Sequence, residues 1–274
     1  LNPSYGSIQK LHTRDSDLVA LCEDKIIKIL ANKDALYNAD ENAQLIATNN
    51  VLGQAVPFIG DWGISDNPES FAKENFRSYF ADRKRGAVLR LSRDGLTPIS
   101  ENGMKDWFRD NLLNNDRILG SYDTHKSHYN LTPISVGQTV CFNESSRGWS
   151  SFKTFVPENG VSMNNDYFTF DKGLLYKHHI GAINSFYNLP SVDSSIKFVF
   201  NEAPSVVKSF KTLNYEGTQS KVIPRDYDSE YTNLNSQNGW YVHNIKTDLQ
   251  EGSVPDFVEK DNKIILVITD SAAA

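Results

Sequence analysis

The nearest approach to a metal site in this sequence is His125-Thr-Lys-Ser-His128, whose spacing could set two imidazoles on one ion. The segment reads as a turn with no third ligand close by, so a solvated turn is the favoured reading. His178-His179 closes a strand pattern, where alternation sends neighbouring side chains to opposite faces and works against joint ligation. Asp226-Tyr-Asp-Ser-Glu230 offers oxygens to calcium but lacks the glycine and the terminal bidentate glutamate of a helix-loop-helix site. Asp15-Ser-Asp17 reads the same way, as a solvated acidic loop. No metal site and no cofactor site is expected.

Nucleophilic and phosphate chemistry leave no trace either. The sequence has no G-x-S-x-G elbow, no phosphate-cradling G-x-x-x-x-G-K-[ST], no G-x-G-x-x-G and no H-E-x-x-H. A pair of catalytic carboxylates cannot be located without a fold. The expectation is therefore a protein with no catalytic residues. Trp62, Trp149, Tyr231 and Trp240 lie beside turn residues and could stack on sugar rings or fill subunit interfaces. Packing or interface is favoured over glycan contact.

The bulk composition narrows the classes further. The chain has 274 residues, 39% of them hydrophobic, with 12 Tyr, 15 Phe and 4 Trp, which is too aromatic for a disordered chain. A net charge of -6 argues against a nucleic-acid grip, and Arg83-Lys84-Arg85, the one dense basic run, reads as a solvated turn. Cys22 and Cys141 fit no paired pattern and read as buried free thiols. No stretch approaches the roughly 18 to 20 apolar residues needed to span a bilayer, and no amino-terminal signal is visible. Opening on Leu1 without a Met suggests a piece of a longer polypeptide or a processed product.

The elements that must position these residues read mainly as short β-strands. Asp17-Leu-Val-Ala-Leu-Cys22 and Lys25-Ile-Ile-Lys-Ile-Leu30 flank a short acidic turn and predict a hairpin, favoured over a helix across the same residues. The same pattern returns at 77–81, 87–91 and 96–99, at 117–122 and 128–132, and at 166–170 and 174–178. Each time an apolar or aromatic strand runs into an acidic residue that opens the turn: Asp24, Asp82, Asp123 and Asp171. Their spacing of roughly 40 to 60 residues is near the period of propeller blades, about 40 to 50 residues with four strands each. Asn-rich runs such as Asn49-Asn50, Asn114-Asn115 and Asn164-Asn165 add turn signals.

The fold class expected is all-β and mainly antiparallel, with β-propeller-like blades and short helical insertions, and a β-sandwich as the alternative. Helices are predicted at 67–76, from the Asn67-Pro68 start, and at 101–112, with Met104, Trp107, Phe108 and Leu112 on one face. Residues 1–182 are read as blade-like β repeats that need not close a ring, and 183–274 as a carboxy-terminal β segment. Within the latter, Ser195-Ile-Lys-Phe-Val-Phe200 and Ser205-Val-Val-Lys-Ser-Phe210 predict an antiparallel pair. Residues 214–238 read as a long polar surface loop suited to touching a neighbour.

Several long phrases carry a family resemblance. They are Asn49-Asn-Val-Leu-Gly-Gln-Ala-Val-Pro-Phe-Ile-Gly60, Asn67-Pro-Glu-Ser-Phe71, the run from Arg85 to Ser100, Gly103-Met-Lys-Asp-Trp-Phe-Arg-Asp110, the run from Pro204 to Gly217, Gly239-Trp-Tyr241 and Asp248-Leu-Gln-Glu-Gly252. The chain resembles large virion structural proteins of tailed double-stranded DNA phages, those of marine cyanobacterial myophages and the crAss-like phage muzzle protein among them. That resemblance implies a virion tail-end or baseplate-associated component, an oligomer assembled in the host cytoplasm. Its implied partners are other virion tail proteins and copies of itself. A glycan-binding receptor module of the tail tip is the alternative, with host surface glycan as ligand, and a glycan-cleaving tail enzyme ranks behind it. The resemblance stops after Phe257-Val-Glu-Lys260, where Asp261-Asn-Lys-Ile-Ile-Leu replaces the Gly-Lys-aromatic run of that family.

Overall fold

The computed structural model describes residues 2–14, 17–37, 43–208, 210–216, 220–221, 238–247, 251–252, 258–260 and 263–267. The chain divides into two compact units, Leu1–Ser195 and Ile196–Ala274.

The first unit is built of antiparallel meanders. Sheet 1 holds β1 (Ile8–Arg14), β2 (Asp17–Cys22), β3 (Ile26–Tyr37) and β4 (Ala43–Pro57) in that order. Sheet 2 follows with β5 (Ala72–Lys73), β6 (Ser78–Asp82), β7 (Ala87–Ser92) and β8 (Gly95–Pro98). Sheet 3 is β9 (Ile118–Asp123), β10 (His128–Pro133), β11 (Thr139–Asn143) and β12 (Gly148–Lys153), again in sequence order. Sheet 4 has three strands, β13 (Asn159–Met163), β14 (Asp166–Asp171) and β15 (Leu174–Lys177). All ladders of this unit are antiparallel, as the predicted hairpins require. The turn between β13 and β14 consists of Asn164 and Asn165 at φ 50° and 65°. Asn accepts this left-handed backbone at low cost, and two such residues in a row give a turn whose twist matches the flanking strands.

The period-2 alternation of the strands is what stacks the sheets. Every residue of β6 is buried, because sheet 2 is covered on both faces. Tyr79 and Ala81 face one way, with Val88, into a core shared with Tyr129, Leu131, Val140 and Phe142 of sheet 3. Phe80 faces the other way, with Leu89 and Leu91, onto Val19, Leu21 and Ile26 of sheet 1. Each fully buried Leu, Ile or Phe at these faces contributes about 1.5 to 3 kcal/mol from removal of apolar surface from water. Cys22 and Cys141 are free thiols buried in β2 and β11, as their apolar context predicts.

The one α-helix among the described residues, α1 (Lys105–Leu112), closes the core between sheets 2 and 3. Phe108 and Leu112 are fully buried and Met104 and Trp107 pack beside them, so the predicted face is the one used. The helix starts four residues later than expected because a 3-10 turn, Ile99–Glu101, precedes it and Gly103 sits at φ 81°. The helix expected at 67–76 does not form. A 3-10 turn, Pro68–Ser70, leads directly into β5, where Ala72 pairs with Tyr79. Ser70 explains the difference: its hydroxyl donates to the Asn67 carbonyl and accepts from the Ala81 amide, so tertiary pairing overrides the local start signal.

Sheet 1 contains a feature the sequence reading missed. The β3–β4 ribbon pairs from Ile27↔Pro57 out to Tyr37↔Ala43, well past the ends of β1 and β2. Asn49-Asn50 therefore lies within β4 and not in a turn. The ladder is irregular there, with register shifts on either side of Ala31.

The second unit holds β16 (Thr212–Tyr215), β17 (Ile245–Lys246), β18 (Glu251–Gly252), β19 (Val258–Lys260) and β20 (Lys263–Val267). β16, β20 and β19 form one antiparallel sheet in that order, and β17 pairs with β18. The strand pair predicted at 195–200 and 205–210 is absent among the described residues. A two-stranded hairpin with no third strand or covering face is marginal in water, and here Val199 and Val207 are 83% and 98% exposed. The fold is all-β and mainly antiparallel. No closed ring of blades exists among the described residues.

Candidate functional site

Three of the four acidic turn residues tie one turn to another part of the chain. Asp82, at the end of β6, is completely buried. Its carboxylate accepts from the Gly63 amide at 3.0 Å, the Ser65 hydroxyl at 2.8 Å, and the amide and Nη1 of Arg85 at 3.2 and 3.0 Å. Asp123, at the end of β9, is equally buried. It accepts from the amides of His125 and Lys126, and its Oδ2 lies 2.8 Å from His179 Nε2 beyond β15. Asp24 meets Lys84 at 3.3 Å and Arg85 at 3.4 Å. Asp24 and Asp82 tie the hairpin ends of sheets 1 and 2 together, and Asp123 ties that of sheet 3 to the segment after β15.

The basic run is spent on the same joints. Arg83 grips Asp66 through two nitrogens at 3.1 and 2.8 Å, and Lys84 reaches Glu23 at 3.2 Å. Glu23 also accepts from the Ser7 hydroxyl. That bond, with Lys84 behind it, holds the Glu23 carboxyl at about 2. All three basic side chains are thus matched by carboxylates.

Between sheets 2 and 3 an aromatic ladder is capped by an ion pair. Tyr79 stacks on Tyr129 at 4.9 Å and on Tyr122 at 5.7 Å between centroids, and donates to Glu144 at 2.8 Å. Glu144 also binds Arg90 at 3.0 Å. Burial, followed by the Glu144 carboxylate, raises the Tyr79 phenol well above its usual range.

The structure separates the residues that the sequence grouped. His125 stacks on His179 at 4.8 Å, and His128 is not part of that pair. Among the described residues no group of three or more His, Cys, Asp or Glu side chains could hold a metal ion. His178 turns inward instead, its Nε2 2.6 Å from the Thr169 hydroxyl and its ring against Phe155 and Tyr167. Burial, then the neighbouring His179 and Lys153, pushes its pKa down to about 4. The unfolded chain binds this proton near pH 6.5 and the folded chain does not, so stability is lost as pH falls through 6.5 towards 4. We expect His178→Gln to remove roughly 1 to 2 kcal/mol of that loss, read by urea unfolding at pH 7 and pH 4.5. Equal pH sensitivity of variant and wild type would count against it.

The aromatic candidates are likewise placed. Trp149 is wedged against Phe108 at 4.4 Å and Phe142 at 5.4 Å, and its indole N–H donates to the Ile99 carbonyl. Trp62 packs on the core shared by sheets 1 and 2. Trp240 forms a β-bridge to Ser220, and its carbonyl accepts from the Lys221 amide. Tyr231 and the acidic run Asp226–Glu230 lie outside the described residues, as does most of the loop at 214–238.

Two clefts stand out, and none of these tryptophans lines either one. The larger, about 510 Å³, runs along the ends of β1, β5, β6 and β9 and is lined by His12, Arg14, Lys73, Glu74, Arg77 and Arg93 among others. Glu74, its one lining carboxylate, is paired with Arg77 at 3.4 Å. The smaller lies under the turn at 184–192 and is walled by Phe155, Phe186, Tyr187 and Leu189.

Apolar surface, by contrast, is plentiful. Val161, Met163, Phe170 and Leu175 share the outward face of sheet 4 and are all exposed. Beyond β15, Ile180, Ile183, Leu189, Ile196, Phe198 and Phe200 are exposed as well.

Comparison with known families decides what this architecture belongs to. The model of the Crassvirus muzzle protein matches residues 1–173, and that of the Crassvirus muzzle protein C-terminal domain matches residues 181–263. The chain belongs to the Crassvirus muzzle protein family. It is a phage virion structural protein, and the virion is where it resides. The muzzle match covers sheets 1 to 3 with β13 and β14 by one model, and β16 to β19 by the other. No curated protein matches the chain. No helix among the described residues is long and apolar enough to cross a membrane.

Proposed function

We propose that this muzzle-family chain is a tail-end or baseplate-associated component that holds the tail assembly together by protein-protein contacts. Its partners in this reading are other virion tail proteins and copies of itself, it is assembled in the host cytoplasm, and it performs no catalysis. The observation that carries the reading is the apolar surface left uncovered on sheet 4 and beyond β15, far more than scattered surface hydrophobics. Residues 1–182 act as a propeller-like stack of blades that requires a neighbour to cover its last face, and 183–274 as a contact-making extension. Trp62 and Trp149 belong to packing in this account, while Tyr231 and Trp240 are left to interfaces.

The glycan reading finds less support, since the clefts lack the tryptophans and the larger holds one ion-paired carboxylate. Glycoside cleavage commonly needs two carboxylates about 5 to 10 Å apart in one groove. Incubating the chain with host surface polysaccharide and probing a glycan array tests this directly. The expected outcome is neither release of sugar nor binding. Sugar release abolished by one carboxylate substitution would overturn the non-catalytic assignment.

A further inference from the structure

Sheets 1, 2 and 3 each have four strands, and sheet 4 has three. Among the described residues its last strand, β15, pairs with β14 alone, leaving one row of backbone donors and acceptors without a strand partner there. Leu174 and Leu175 on that edge are 60% and 54% exposed. Exposed apolar edges are usually blunted or paired, because they recruit strands from other chains.

The chain also carries a strand without a sheet. Residues 195–200 read Ser-Ile-Lys-Phe-Val-Phe, a β-branched and aromatic run with period-2 alternation. They take no part in any ladder among the described residues and are exposed throughout. Phe198 and Phe200, two positions apart, stack at 6.1 Å, as residues on one face of an extended segment do. Ile196, Phe198 and Phe200 are 61%, 68% and 63% exposed.

The connection from β15 to this segment is already committed elsewhere. Tyr187 meets the Thr169 hydroxyl at 3.0 Å, the Val192 amide donates to the Asn184 carbonyl, and Asn184 Nδ2 donates to the Ser194 hydroxyl. Residues 184–194 are thus held by their own bonds, and residues 195–200 make no ladder with the β15 edge of their own chain among the described residues. A second copy of the chain offers the same open edge.

We propose that residues 195–200 of one copy add as the fourth strand of sheet 4 in a neighbouring copy, along β15. Main-chain bonds supply affinity, and the Ile196, Phe198 and Phe200 face supplies apolar burial. The acceptor edge and the donor segment are different stretches of the chain, so the contact either closes reciprocally between two copies or repeats head-to-tail in rings or stacks. It deepens the reading of the chain as an assembly part by naming one contact.

Cysteine pairing tests it on the full chain, whose native Cys22 and Cys141 are both buried. Leu175→Cys protein is mixed with Phe198→Cys or Val199→Cys protein under mild oxidation, covering both faces of the strand. The expected result is a disulfide-linked dimer several times more abundant in a mixture than in either variant alone. Wild-type chain should sediment as an oligomer, and Phe198→Asp, at an exposed position, should shift it to monomer with unchanged thermal unfolding. A monomeric wild type, an oligomer indifferent to Phe198→Asp, or mixtures that form no more disulfide-linked dimer than either variant alone would each overturn strand donation. Binding of that monomer to other tail proteins would leave the assembly reading intact.

Discussion

Gly120→Ala is expected to unfold the sheet stack, at a cost of about 4 kcal/mol or more. Gly120 lies in β9 where sheet 3 meets the 3-10 turn that opens sheet 2. A methyl group there would sit 1.8 Å from the Ser70 carbonyl oxygen and 2.9 Å from the Tyr129 hydroxyl. Neither can give way. The Ser70 carbonyl already accepts from Tyr129 at 2.7 Å, and the Ser70 side chain is bonded to Ala81 of β6. Relief requires parting sheets 2 and 3, which uncovers the Tyr79, Tyr129 and Phe142 core. Circular dichroism during thermal unfolding would show the loss, and Gly137→Ala, in a turn with open space around it, provides the control. Gly137 is at φ 72°, so a small penalty of about 1 kcal/mol is expected of the control itself. A Gly120→Ala chain as stable as wild type would show that sheets 2 and 3 do not meet in this way.

Asp82→Ala is the second large effect, expected at about 3 to 5 kcal/mol. The substitution strands the buried Gly63 amide, takes the acceptor from the Ser65 hydroxyl and leaves Arg85 with Asp24 as its remaining carboxylate. Removing a fully buried carboxylate costs far more than its bonds contribute, because the buried Gly63 amide is left with no acceptor among the described residues. Gly63 cannot retreat, since its Cα region lies so close to the Glu23 carbonyl that an added Cβ would come within 1.9 Å. The exposed pair of Arg83 with Asp66 gives the contrast: Asp66→Ala should cost under about 1 kcal/mol, as surface ion pairs do. Urea titrations of the two variants would separate the cases. Equal, small losses would mean that Asp82 is not the joint between the turn and the preceding linker.

Most strands of the first unit were legible because their pattern is local. Asp17–Cys22, Ser78–Asp82, Ala87–Ser92 and Asp166–Asp171 all fall where alternation and an acidic turn residue placed them. The roles of Asp82 and Asp123 went unseen, although both residues were singled out. Their partners, Gly63 and His179, lie 19 and 56 residues away and come close only through sheet stacking. The helix expected at 67–76 failed for the same reason, since Ser70 answers to Ala81 and not to its neighbours. Residues 195–200 show the opposite case: the strand pattern is there, but no strand of the described chain pairs with it. Histidine spacing carried little information, because His125 and His128 are close in sequence while His125 and His179 are close in space.

The central claim is that this virion protein works through contacts made by its uncovered sheet and extended segment. A symmetry-resolved reconstruction of the intact particle tests it most directly. The account predicts several copies at the tail end, with Val161, Met163, Phe170 and Leu175 of each covered by a neighbouring chain. Copies present in the particle with that sheet face and residues 195–200 open to solvent would contradict it.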